Sequence, residues 1–572
     1  MRFFTVWLGA CVLMSLAPSA SAGDRILGAP FATRSPVIAR HGMVATSQPL
    51  AAQVGLDILK AGGSAVDAAI ATNAALALME PTGCGVGGDL FVLLWDNDAK
   101  ELVGLNGSGR SPSQLDLEGL RAVLAERGLE DIPLFGGLPV SVPGAVDGWF
   151  AMHERYGRLP MSQLLAPAIA AAREGFPLTQ VIAEYWRRSE RVFGGRPEFA
   201  EIFMPNGRAP REGELFRNPG LARTLEALAA GGRDAFYTGP LAEALVAAVQ
   251  REGGFLTLDD LAAHRSEWVQ PQSVSYRDHE LWELPPNGQG LAAQQLLQIV
   301  GQDQLHAWDA DTWHLLIEAK KLAYEDRARF YADPAFAEQP LQALLSPTYA
   351  SARRALIDPA RAAEHYPAGG AALAQGDTVY LTVADADGNV VSWIQSNYTG
   401  FGSGVVVPGW GFGLQNRAKL FHLDASHANV YAPGKRPFHT IIPAMLTRDG
   451  SPVLSFGVMG GAMQPQGHAQ IVVNMLDFGM NVQEAGDAAR WRHEGSSQPD
   501  GGDMRDRGRV FVESGAPAEL VEGLRARGHQ VEVSAGGYGG YQAIWIDAIA
   551  SPEQRLYRGA SESRKDGAAV GF

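Results

Sequence analysis

The sequence predicts one layered α/β body that is assembled from both halves of the chain. Runs rich in β-branched and aromatic residues occur near both ends, and the middle, from about residue 138 to 359, is mostly helical in pattern. Strands and helices distributed in this way pack as layers around one core. With 572 residues, the chain is long enough to bury such a core.

Composition excludes several classes of protein. Hydrophobic residues make up 46% of the chain and charged residues 19%, which is typical of globular rather than disordered proteins. The formal net charge is -15, so neither a nucleic acid nor an anionic membrane surface is expected as the main partner. No segment after the N-terminal one is long and apolar enough to span a bilayer, so no membrane anchor is expected.

The N-terminus has the pattern of a signal peptide. A positive charge at Arg2 precedes an apolar run from residue 3 to about 17, and small residues then lead to Ala22. We predict cleavage after Ala22, with residues 1–22 as the signal peptide and a periplasmic or secreted mature protein. An uncleaved anchor is the alternative, and the site before Cys11 resembles a lipoprotein cleavage site, but too few residues precede it for lipidation to rank with simple export.

Only one cysteine, Cys84, remains after the leader is removed, so an exported protein of this size must rely on its core rather than on disulfides. Cys84 lies among glycines. We interpret it as a small buried side chain rather than a nucleophile.

The elements before the first glycine-rich run are two helices. Residues 50–60 have helical spacing, and Ser64 is placed to cap a second, nearly all-apolar helix that ends near Met79. The run Gly83–Gly88 then satisfies G-x-G-x-x-G. A dinucleotide site needs a strand before the glycines and a helix after them, whereas here a helix precedes and a strand, residues 90–95, follows. We therefore expect no nucleotide site and interpret the glycines as points of close backbone packing.

A second strand, residues 101–106, follows a turn, and the helical middle of the chain comes next. Small and flexible residues dominate residues 360–375, which is typical of a linker. A β-hairpin follows, with its first strand beginning at Thr378 and its turn at Asp387-Gly388-Asn389. The chain beyond the hairpin is predicted to contain strands at residues 404–407, 444–447, 452–456 and 543–546 and a helix at residues 467–476.

The sequence lacks the motifs of several well-known classes of enzymes and metal-binding proteins. The chain has no H-E-x-x-H, no paired cysteines, no G-x-S-x-G and no Walker loop. His439, His468 and His493 could meet in space, but isolated histidines are more often structural, so we expect neither a metal nor another cofactor. One chemistry survives, a threonine nucleophile exposed by chain cleavage.

The physical basis of that chemistry is simple. A threonine hydroxyl needs a base beside it, and a free amine on the same residue is such a base, with a pKa near neutrality. A cut between Asp377 and Thr378 would create that amine in place. Backbone N–H groups of Gly460 and Gly461 could then stabilise the oxyanion, although the same pair could be a plain turn at a strand end.

Several motifs occur in the order in which they occur in the γ-glutamyltransferases, and the chain resembles that family over essentially its whole length after the leader. They are Gly62–Ala69, Glu80-Pro81 with Gly85–Gly88, Pro143-Gly144, Ala235–Gly239, Gly376-Asp377-Thr378 with Asp385–Asn389, Pro433–Pro437 and Gly460-Gly461. Members are self-cleaving N-terminal-nucleophile hydrolases with a four-layer αββα fold, and they act on γ-glutamyl amides such as glutathione. The resemblance implies the same α+β sandwich, with a large subunit at residues 23–377 and a small subunit at residues 378–572.

The resemblance also implies residue roles. Thr378 would be the nucleophile in both self-cleavage and catalysis, and Gly460 and Gly461 would be the oxyanion donors. Ser396 takes the place of the family's second threonine, whose hydroxyl contacts the nucleophile. Arg110 would bind the substrate α-carboxylate, because a planar guanidinium matches a carboxylate; the alternative is a surface arginine in a polar loop.

Some positions depart from the family's transpeptidases. Tyr398 replaces an asparagine, and His439-Thr440 replaces a serine pair. The run Leu414–Leu420 contains Arg417 and Lys419 but no carboxylate to hold a substrate α-amino group. Residues 421–433 are too few for the lid loop of many members. These changes favour an acyl group that carries only a carboxylate, as in the related glutaryl and cephalosporin acylases, and an open site suits water as well as an amine acceptor.

Three functions remain open at this point. The first is an exported, self-processing hydrolase and transferase of γ-glutamyl amides. The second keeps the same machinery but acts on glutaryl or other carboxy-acyl amides. The third is a non-catalytic exported solute-binding protein, which the leader and the acidic surface fit equally well, although such a protein would not need the flexible run before Thr378.

Overall fold

A computed structural model describes residues 27–367, 377–504, 506–547 and 555–572. The predicted signal peptide, its cleavage after Ala22 and the site at Cys11 lie outside the described residues, as does the second half of the predicted linker, residues 368–375.

Nineteen strands occur in the described residues. In chain order they are β1 Val37–Ala39, β2 Met43–Thr46, β3 Asp89–Asp96, β4 Glu101–Gly107, β5 Phe176–Pro177, β6 Leu215–Phe216, β7 Glu267–Val269, β8 Gln272–Tyr276, β9 His279–Glu283, β10 Asp377–Ala384, β11 Val390–Tyr398, β12 Ala444–Arg448, β13 Ser451–Val458, β14 Trp491–Glu494, β15 Arg509–Val512, β16 Val531–Val533, β17 Tyr541–Asp547, β18 Leu556–Ser561 and β19 Ala568–Gly571.

Eighteen α-helices occur in the same part of the chain, and two 3₁₀ turns at Arg417–Leu420 and Gly461–Met463 accompany them. The helices are α1 Pro49–Lys60, α2 Ala65–Met79, α3 Leu117–Glu126, α4 Ala145–Tyr156, α5 Met161–Glu174, α6 Gln180–Phe193, α7 Pro197–Phe203, α8 Pro219–Gly231, α9 Asp234–Tyr237, α10 Gly239–Arg251, α11 Leu258–Ala263, α12 Gly290–Val300, α13 Ala310–Phe330, α14 Leu341–Leu344, α15 Pro347–Arg354, α16 Gln464–Leu476, α17 Val482–Asp487 and α18 Ala518–Ala526.

Two seven-stranded sheets form the centre of the molecule. The first has the strand order β1-β18-β17-β13-β12-β9-β8 and the second the order β19-β2-β10-β11-β3-β4-β7, with every neighbouring pair antiparallel. Each sheet contains strands from before and after Thr378. The expectation that both halves of the chain build one body is confirmed.

The sheets face each other and each carries helices on its outer side. Phe91, Tyr380, Ile394, Ile441 and Met459 pack together between the sheets. The buried residues of α2, α4 and α5 pack against the second sheet, and those of α12, α13 and α16 pack against the first. This four-layer αββα arrangement confirms the predicted fold class.

The structure confirms most of the elements that flank the site. Ser64 caps α2 with a reciprocal capping box, and every residue of α2 is buried. The hairpin of β10 and β11 turns at Gly388, whose φ of +92° only glycine adopts readily. Its first strand begins one residue before the predicted start, at Asp377. Cys84 is buried, as expected.

One predicted strand is absent, and several strands were missed. Residues 404–407 form no strand, because only an isolated bridge joins Val406 to Gly413. The middle of the chain is predominantly helical, as predicted, but it also contains five strands, β5 to β9, that were not predicted. The tight turn between β8 and β9 includes Arg277 at a φ of +54°. Because arginine rarely adopts a positive φ, the sequence gives no sign of a turn at this position.

In the described part of the chain, every helix is too short or too polar to cross a lipid bilayer.

Candidate active site

Three adjacent strands bring together the residues around the predicted nucleophile. Thr378 lies at the start of β10, Ser396 lies on β11, and Asp89 begins β3 directly opposite Ser396. The Thr378 hydroxyl donates a hydrogen bond of 3.3 Å to Ser396 Oγ. Thr378, Ser396 and Asp89 are all fully buried. The chain therefore places a threonine hydroxyl, a serine hydroxyl and a carboxylate on neighbouring strands.

The β10–β11 hairpin that carries Thr378 and Ser396 is anchored at its turn. Asp385 accepts hydrogen bonds from the Asn389 backbone and side chain and from the N–H of Ala65 at the start of α2. On β11, the Gln395 amide accepts from Asn73 of α2 and donates to the Gly85 carbonyl. The residue before Ser396 therefore ties β11 to α2 and to the glycine run.

The glycines of the run Gly83–Gly88 allow the backbone to approach these strands. A Cβ atom on Gly83 would lie 3.2 Å from the carbonyl carbon of Thr378, and one on Gly88 would lie 2.7 Å from the Ser396 carbonyl oxygen. The run follows α2 and precedes β3. The interpretation as close backbone packing is confirmed, and the packing is against the two residues of greatest interest.

Behind Ser396 lies a buried polar cluster of Asp89, Arg417, His439, Thr440 and Tyr398. Asp89 accepts from the Gly109 N–H at 2.9 Å, and its other oxygen lies 3.1 Å from His439 Nε2 and 3.8 Å from Arg417 Nε. Arg417 Nη1 donates to Thr440 Oγ1 at 2.7 Å. The Arg417 guanidinium also lies over the Tyr398 ring, 4.7 Å from its centre. All five side chains are inaccessible or nearly so.

Burial sets the charges of this cluster. Burial, reinforced by the nearby Arg417 guanidinium, lowers the pKa of His439 to about 4, so His439 is neutral at pH 7 and donates its Nε2 proton to Asp89. Burial also lowers the pKa of Arg417, to about 10, which still leaves it charged. One carboxylate and one guanidinium thus share the cluster.

The guanidinium of Arg417 makes fewer hydrogen bonds than it has donors. Its Nε and Nη2 groups are buried without a hydrogen-bond partner among the described residues, and the Tyr398 hydroxyl is likewise unpartnered. Buried polar groups in native proteins are nearly always satisfied, so such a group points to a missing partner. A carboxylate oxygen would satisfy both N–H groups of Arg417.

The predicted oxyanion donors form the turn after β13. Gly460 has a φ of +111° and Gly461 a φ of +58°. Among the described residues, no acceptor takes a hydrogen bond from either N–H. The preceding residue, Met459, belongs to the same hydrophobic cluster as Tyr380 and Ile394, which are two positions from Thr378 and Ser396 on the same two strands. The turn therefore sits at the end of the inter-sheet layer in which Thr378 lies.

Gln289 joins this turn to the polar cluster. Its amide donates to the Thr440 carbonyl at 2.6 Å and to the Gly461 carbonyl at 2.9 Å, and its oxygen accepts from Arg327 at 2.6 Å. Sequence analysis missed Gln289 and Asp89. Asp89 carries a signal, a carboxylate that directly precedes the apolar run of residues 90–95, whereas nothing local distinguishes Gln289.

Arg110 is held by ion pairs. It donates to Glu267 at 2.5 Å and to the Gly434 carbonyl at 3.2 Å, and it lies 3.5 Å from Asp333. Its neighbour Gly109 donates to Asp89, which places Arg110 one residue from the polar cluster. Its role as the α-carboxylate ligand stays a prediction. Lys419 forms an ion pair with Asp131 and lies 3.9 Å from Asp500.

A cavity of about 510 Å³ borders the turn after β13. Gly460, Met459 and Thr82 form part of its wall. Five cationic side chains line it, together with one carboxylate, Glu494. The cations are Arg188, Lys320, Arg492, Arg509 and Lys565. It is large enough for a small peptide.

The three histidines that the sequence analysis considered together have different partners. His439 contacts Asp89, His468 contacts Glu283 at 2.8 Å, and His493 contacts Lys320 at 3.0 Å. In a different group among the described residues, the ligand atoms of His314, Glu318 and His529 lie within 4.8 Å of one another. Lys321 donates to Glu318 at 2.6 Å, so an ammonium already neutralises that carboxylate.

Comparison with known proteins gives consistent matches over nearly the whole chain. A protein-family model described as gamma-glutamyltranspeptidase matches residues 51–572. The glutathione hydrolase-like YwrD proenzyme of Bacillus subtilis is 38% identical and is aligned over 94% of this chain and 99% of its own. The oxamate amidohydrolase proenzyme of Klebsiella pneumoniae is 36% identical, with the same coverage. The crystal structure of a cephalosporin acylase from Bacillus halodurans superposes with a TM-score of 0.87 at 44% identity, covering 96% of this chain and 99% of that one.

Proposed function

The chain belongs to the gamma-glutamyltranspeptidase family, and on that premise we propose that it is an exported, self-processing amidohydrolase that removes carboxylate-bearing acyl groups from amines. γ-Glutamyl compounds such as glutathione are the first candidate substrates, and the acyl group passes to water or to an amine acceptor. The observation that supports this most directly is the buried Arg417 guanidinium, whose two unpartnered N–H groups lie in the cluster behind Ser396.

Self-processing begins with the Thr378 hydroxyl. Its Oγ1 attacks the Asp377 carbonyl carbon, the peptide C–N bond breaks, and the acyl group moves from nitrogen to oxygen as an ester. Water then hydrolyses the ester, which leaves a carboxylate on Asp377 and a free α-amine on Thr378. The products are a large subunit, residues 23–377, and a small subunit, residues 378–572.

The same hydroxyl then attacks the substrate amide. The Thr378 amine takes the hydroxyl proton and delivers it to the leaving amine, and the N–H groups of Gly460 and Gly461 stabilise the oxyanion. Water attacks the resulting acyl-enzyme in the same way, which releases the acid and restores Thr378. Ser396, 3.3 Å from Thr378 Oγ1, orients that hydroxyl.

The acyl carboxylate would bind Arg417, with Thr440, His439 and Tyr398 around it. Arg110 would be a second cation that binds the acyl carboxylate, because its neighbour Gly109 donates to Asp89 of the polar cluster. Neither a metal nor another cofactor has a step in this reaction.

A second candidate acyl group is glutaryl, which lacks the α-amino group of γ-glutamyl. Leu414–Leu420 contains no carboxylate, and Asp89 is already engaged by Gly109, His439 and Arg417. The α-amino group of a γ-glutamyl substrate would therefore add little binding free energy, compared with the hydrogen atom that a glutaryl substrate has in its place.

Three amides of one amine with different acyl groups test the proposal. We expect γ-glutamyl and glutaryl amides to have kcat/KM values within about tenfold of each other, a difference of about 1.4 kcal/mol. The butyryl amide, which has no carboxylate, should be at least about 100-fold slower. Equal hydrolysis of the butyryl amide would contradict recognition of a carboxylate, and no hydrolysis of any of the three by cleaved protein would contradict the proposed reaction.

A further inference from the structure

Tyr398, the last residue of β11, has a backbone conformation that tyrosine rarely adopts. Its φ is +76°, in the left-handed region, and only 1% of the residue is exposed. A positive φ strains a non-glycine residue, and such strain occurs often at functional sites, where the surrounding structure holds it in place. Tyr398 pairs with Asp377 in the β10–β11 hairpin. The strained residue therefore lies directly opposite the predicted cleavage site.

The pairing of the two strands is irregular at the same place. Between its pairing partners Gln395 and Tyr398, β11 has two residues, whereas the matching stretch of β10 has only Thr378. The extra residue makes a β-bulge, a feature that re-aims side chains beside active sites. Ser396 is one of the two bulged residues, and its Oγ accepts a hydrogen bond of 3.3 Å from the Thr378 hydroxyl. The bulge thus turns one hydroxyl toward the other.

The N–H group of Tyr398 fixes the direction of the Ser396 hydroxyl. It donates a hydrogen bond of 2.8 Å to Ser396 Oγ from two residues further along the chain, which closes a tight turn of the serine type. The positive φ of Tyr398 occurs in this turn. A relaxed φ at Tyr398 would shift its peptide group, and the hydrogen bond that orients Ser396 would be disturbed.

The ring of Tyr398 lies against the guanidinium of Arg417, 4.7 Å from the ring centre. Burial raises the pKa of the Tyr398 hydroxyl, so the ring is neutral at pH 7 and the guanidinium is attracted to its π face. Arg417 otherwise makes one side-chain hydrogen bond, to Thr440, and Asp89 lies 3.8 Å from its Nε, beyond hydrogen-bond distance. These two contacts do not fix the plane of the guanidinium, so the ring supplies that constraint.

We propose that Tyr398 is a positioning residue for two groups of this site. Its N–H group, set by the left-handed backbone, directs the Ser396 hydroxyl toward Thr378. Its ring, which belongs to a buried hydrophobic cluster, both holds the strained backbone and keeps the Arg417 guanidinium in the plane in which it binds the acyl carboxylate. The inference rests on the proposed function and adds a residue that supports both self-cleavage and acyl recognition.

Two variants of similar size test the role of the ring. Tyr398→Phe keeps the aromatic face and loses only the hydroxyl, which has no described partner, whereas Tyr398→Leu fills the space without a π face. For each cleaved protein, the kcat/KM for the γ-glutamyl amide is divided by that for the butyryl amide. We expect this ratio to be about tenfold or more lower in Tyr398→Leu than in Tyr398→Phe.

Two smaller variants test the role of the backbone. Tyr398→Gly and Tyr398→Ala both remove the ring that holds the strained φ, and they differ from each other by one methyl group. Glycine adopts a positive φ without strain, whereas alanine can relax to a negative φ. In a pulse-chase experiment on denaturing gels, we expect Tyr398→Ala to cleave itself about fivefold or more slowly than Tyr398→Gly.

A second pair and a control keep the test decisive. Tyr398→Asn and Tyr398→Val leave smaller cavities, which covers the case in which the glycine and alanine variants do not fold. Asparagine is common at positive φ and valine is rare there, so the valine variant should be cut more slowly. Asp449→Ala replaces an exposed residue with a φ of +50° in the turn between β12 and β13, and it should change neither the cleavage rate nor the substrate ratio.

The outcomes separate this inference from the proposed function. Equal substrate ratios in Tyr398→Leu and Tyr398→Phe would show that the ring does not hold Arg417. Equal cleavage rates within both backbone pairs would show that the left-handed conformation does not set Ser396. Either result contradicts the inference and leaves the proposed function standing. If the wild-type chain is never cut, or hydrolyses no substrate once cut, the proposed function is wrong and the inference falls with it.

Discussion

At the scale of single residues, we propose that Arg417 recognises the carboxylate of the acyl group. It is fully buried, one of its N–H groups is bound to Thr440, and two of its N–H groups have no described partner. Asp89 lies 3.8 Å from its Nε and offsets its charge in the absence of substrate. A buried guanidinium with spare donors in fixed positions is suited to bidentate binding of a carboxylate.

Replacing Arg417 with methionine should therefore affect substrates unequally. We expect kcat/KM for a γ-glutamyl or glutaryl amide to fall by roughly 100-fold or more, because two charge-assisted hydrogen bonds are lost, at about 1.5 to 3 kcal/mol each. The butyryl amide should be affected by less than about threefold. Steady-state kinetics on cleaved protein measures both.

Two controls accompany Arg417→Met. Arg417→Lys keeps the charge but not the planar fork, so it should recover only part of the loss. Arg121→Met, at an exposed arginine of α3, should resemble wild type. An equal loss of activity on all three acyl groups would mean that Arg417 supports the fold rather than the substrate.

At the scale of elements, the backbone conformation of the turn after β13 fixes the direction of the N–H groups of Gly460 and Gly461, the proposed oxyanion donors. Gly460 has a φ of +111°, and a Cβ on it would lie 3.2 Å from the Gly539 backbone. An alanine could relieve the strain only by rotating the peptide, which would redirect the N–H groups of the turn.

We expect Gly460→Ala to lower kcat by about 10² to 10³, the usual effect of losing one oxyanion donor. KM should change little, because the donors act mainly in the transition state. Gly479→Ala is the matched control: Gly479 also has a positive φ, of +67°, but open space surrounds its Cβ position, so this variant should lose some stability and keep its kcat. An equal loss of kcat in both variants would mean that Gly460→Ala acts by disturbing the fold and not by removing an oxyanion donor.

Some of the elements around the site could be predicted from the sequence, and others could not. The hairpin, the Ser64 cap and the glycine run depend on residues close together in the chain, and all three were predictable. The β8–β9 hairpin was missed because its turn has no glycine or asparagine at the position with positive φ.

The polar cluster is a different kind of problem. Asp89 and Arg417 are more than three hundred residues apart, and their contact exists only because β3 and the turn at Arg417–Leu420 meet in the folded chain. Sequence reasoning named Arg417, His439, Thr440 and Tyr398 from a family resemblance. The sequence does not show that Arg417 is buried or that two of its N–H groups have no described partner, and these two facts make Arg417 a candidate ligand.

At the scale of the whole molecule, the two predicted subunits are interleaved. β10, which begins next to the predicted cleavage site, pairs with β2 on one side and β11 on the other. The first sheet has β1, β8 and β9 from before Thr378 and β12, β13, β17 and β18 from after it. Cleavage of one peptide bond would therefore free the Thr378 amine without separating the halves.

Acid stability of the whole molecule should depend on His439. Its folded pKa is about 4, against an ordinary value of 6.5, so below pH 6.5 the unfolded chain takes up a proton that the folded chain refuses. Stability from this group is present above pH 6.5 and is lost as the pH falls to about 4. Buried Glu325 and Asp500, whose pKa values burial raises to about 7, act in the opposite direction, so the comparison must be between variants.

Between pH 7 and pH 4.5, wild-type protein should lose more stability than His439→Asn, by about 2 kcal/mol. Asparagine keeps a donor for Asp89 but does not titrate. Thermal unfolding of both proteins in the uncut Thr378→Ala background gives the two shifts in midpoint. Parallel shifts with pH would show that His439 does not titrate in the way its surroundings indicate.

The most direct test of the account is a denaturing gel of the purified protein with N-terminal sequencing of its smaller band. We predict two bands, the smaller beginning Thr378-Val379-Tyr380, and a single, inactive chain for Thr378→Ala. Thr378→Ser, which keeps a hydroxyl and an amine, should still be cut. A wild-type chain that stays whole on long incubation would contradict the account and favour a non-catalytic solute-binding protein, and a smaller band that begins at another residue would move the nucleophile away from Thr378.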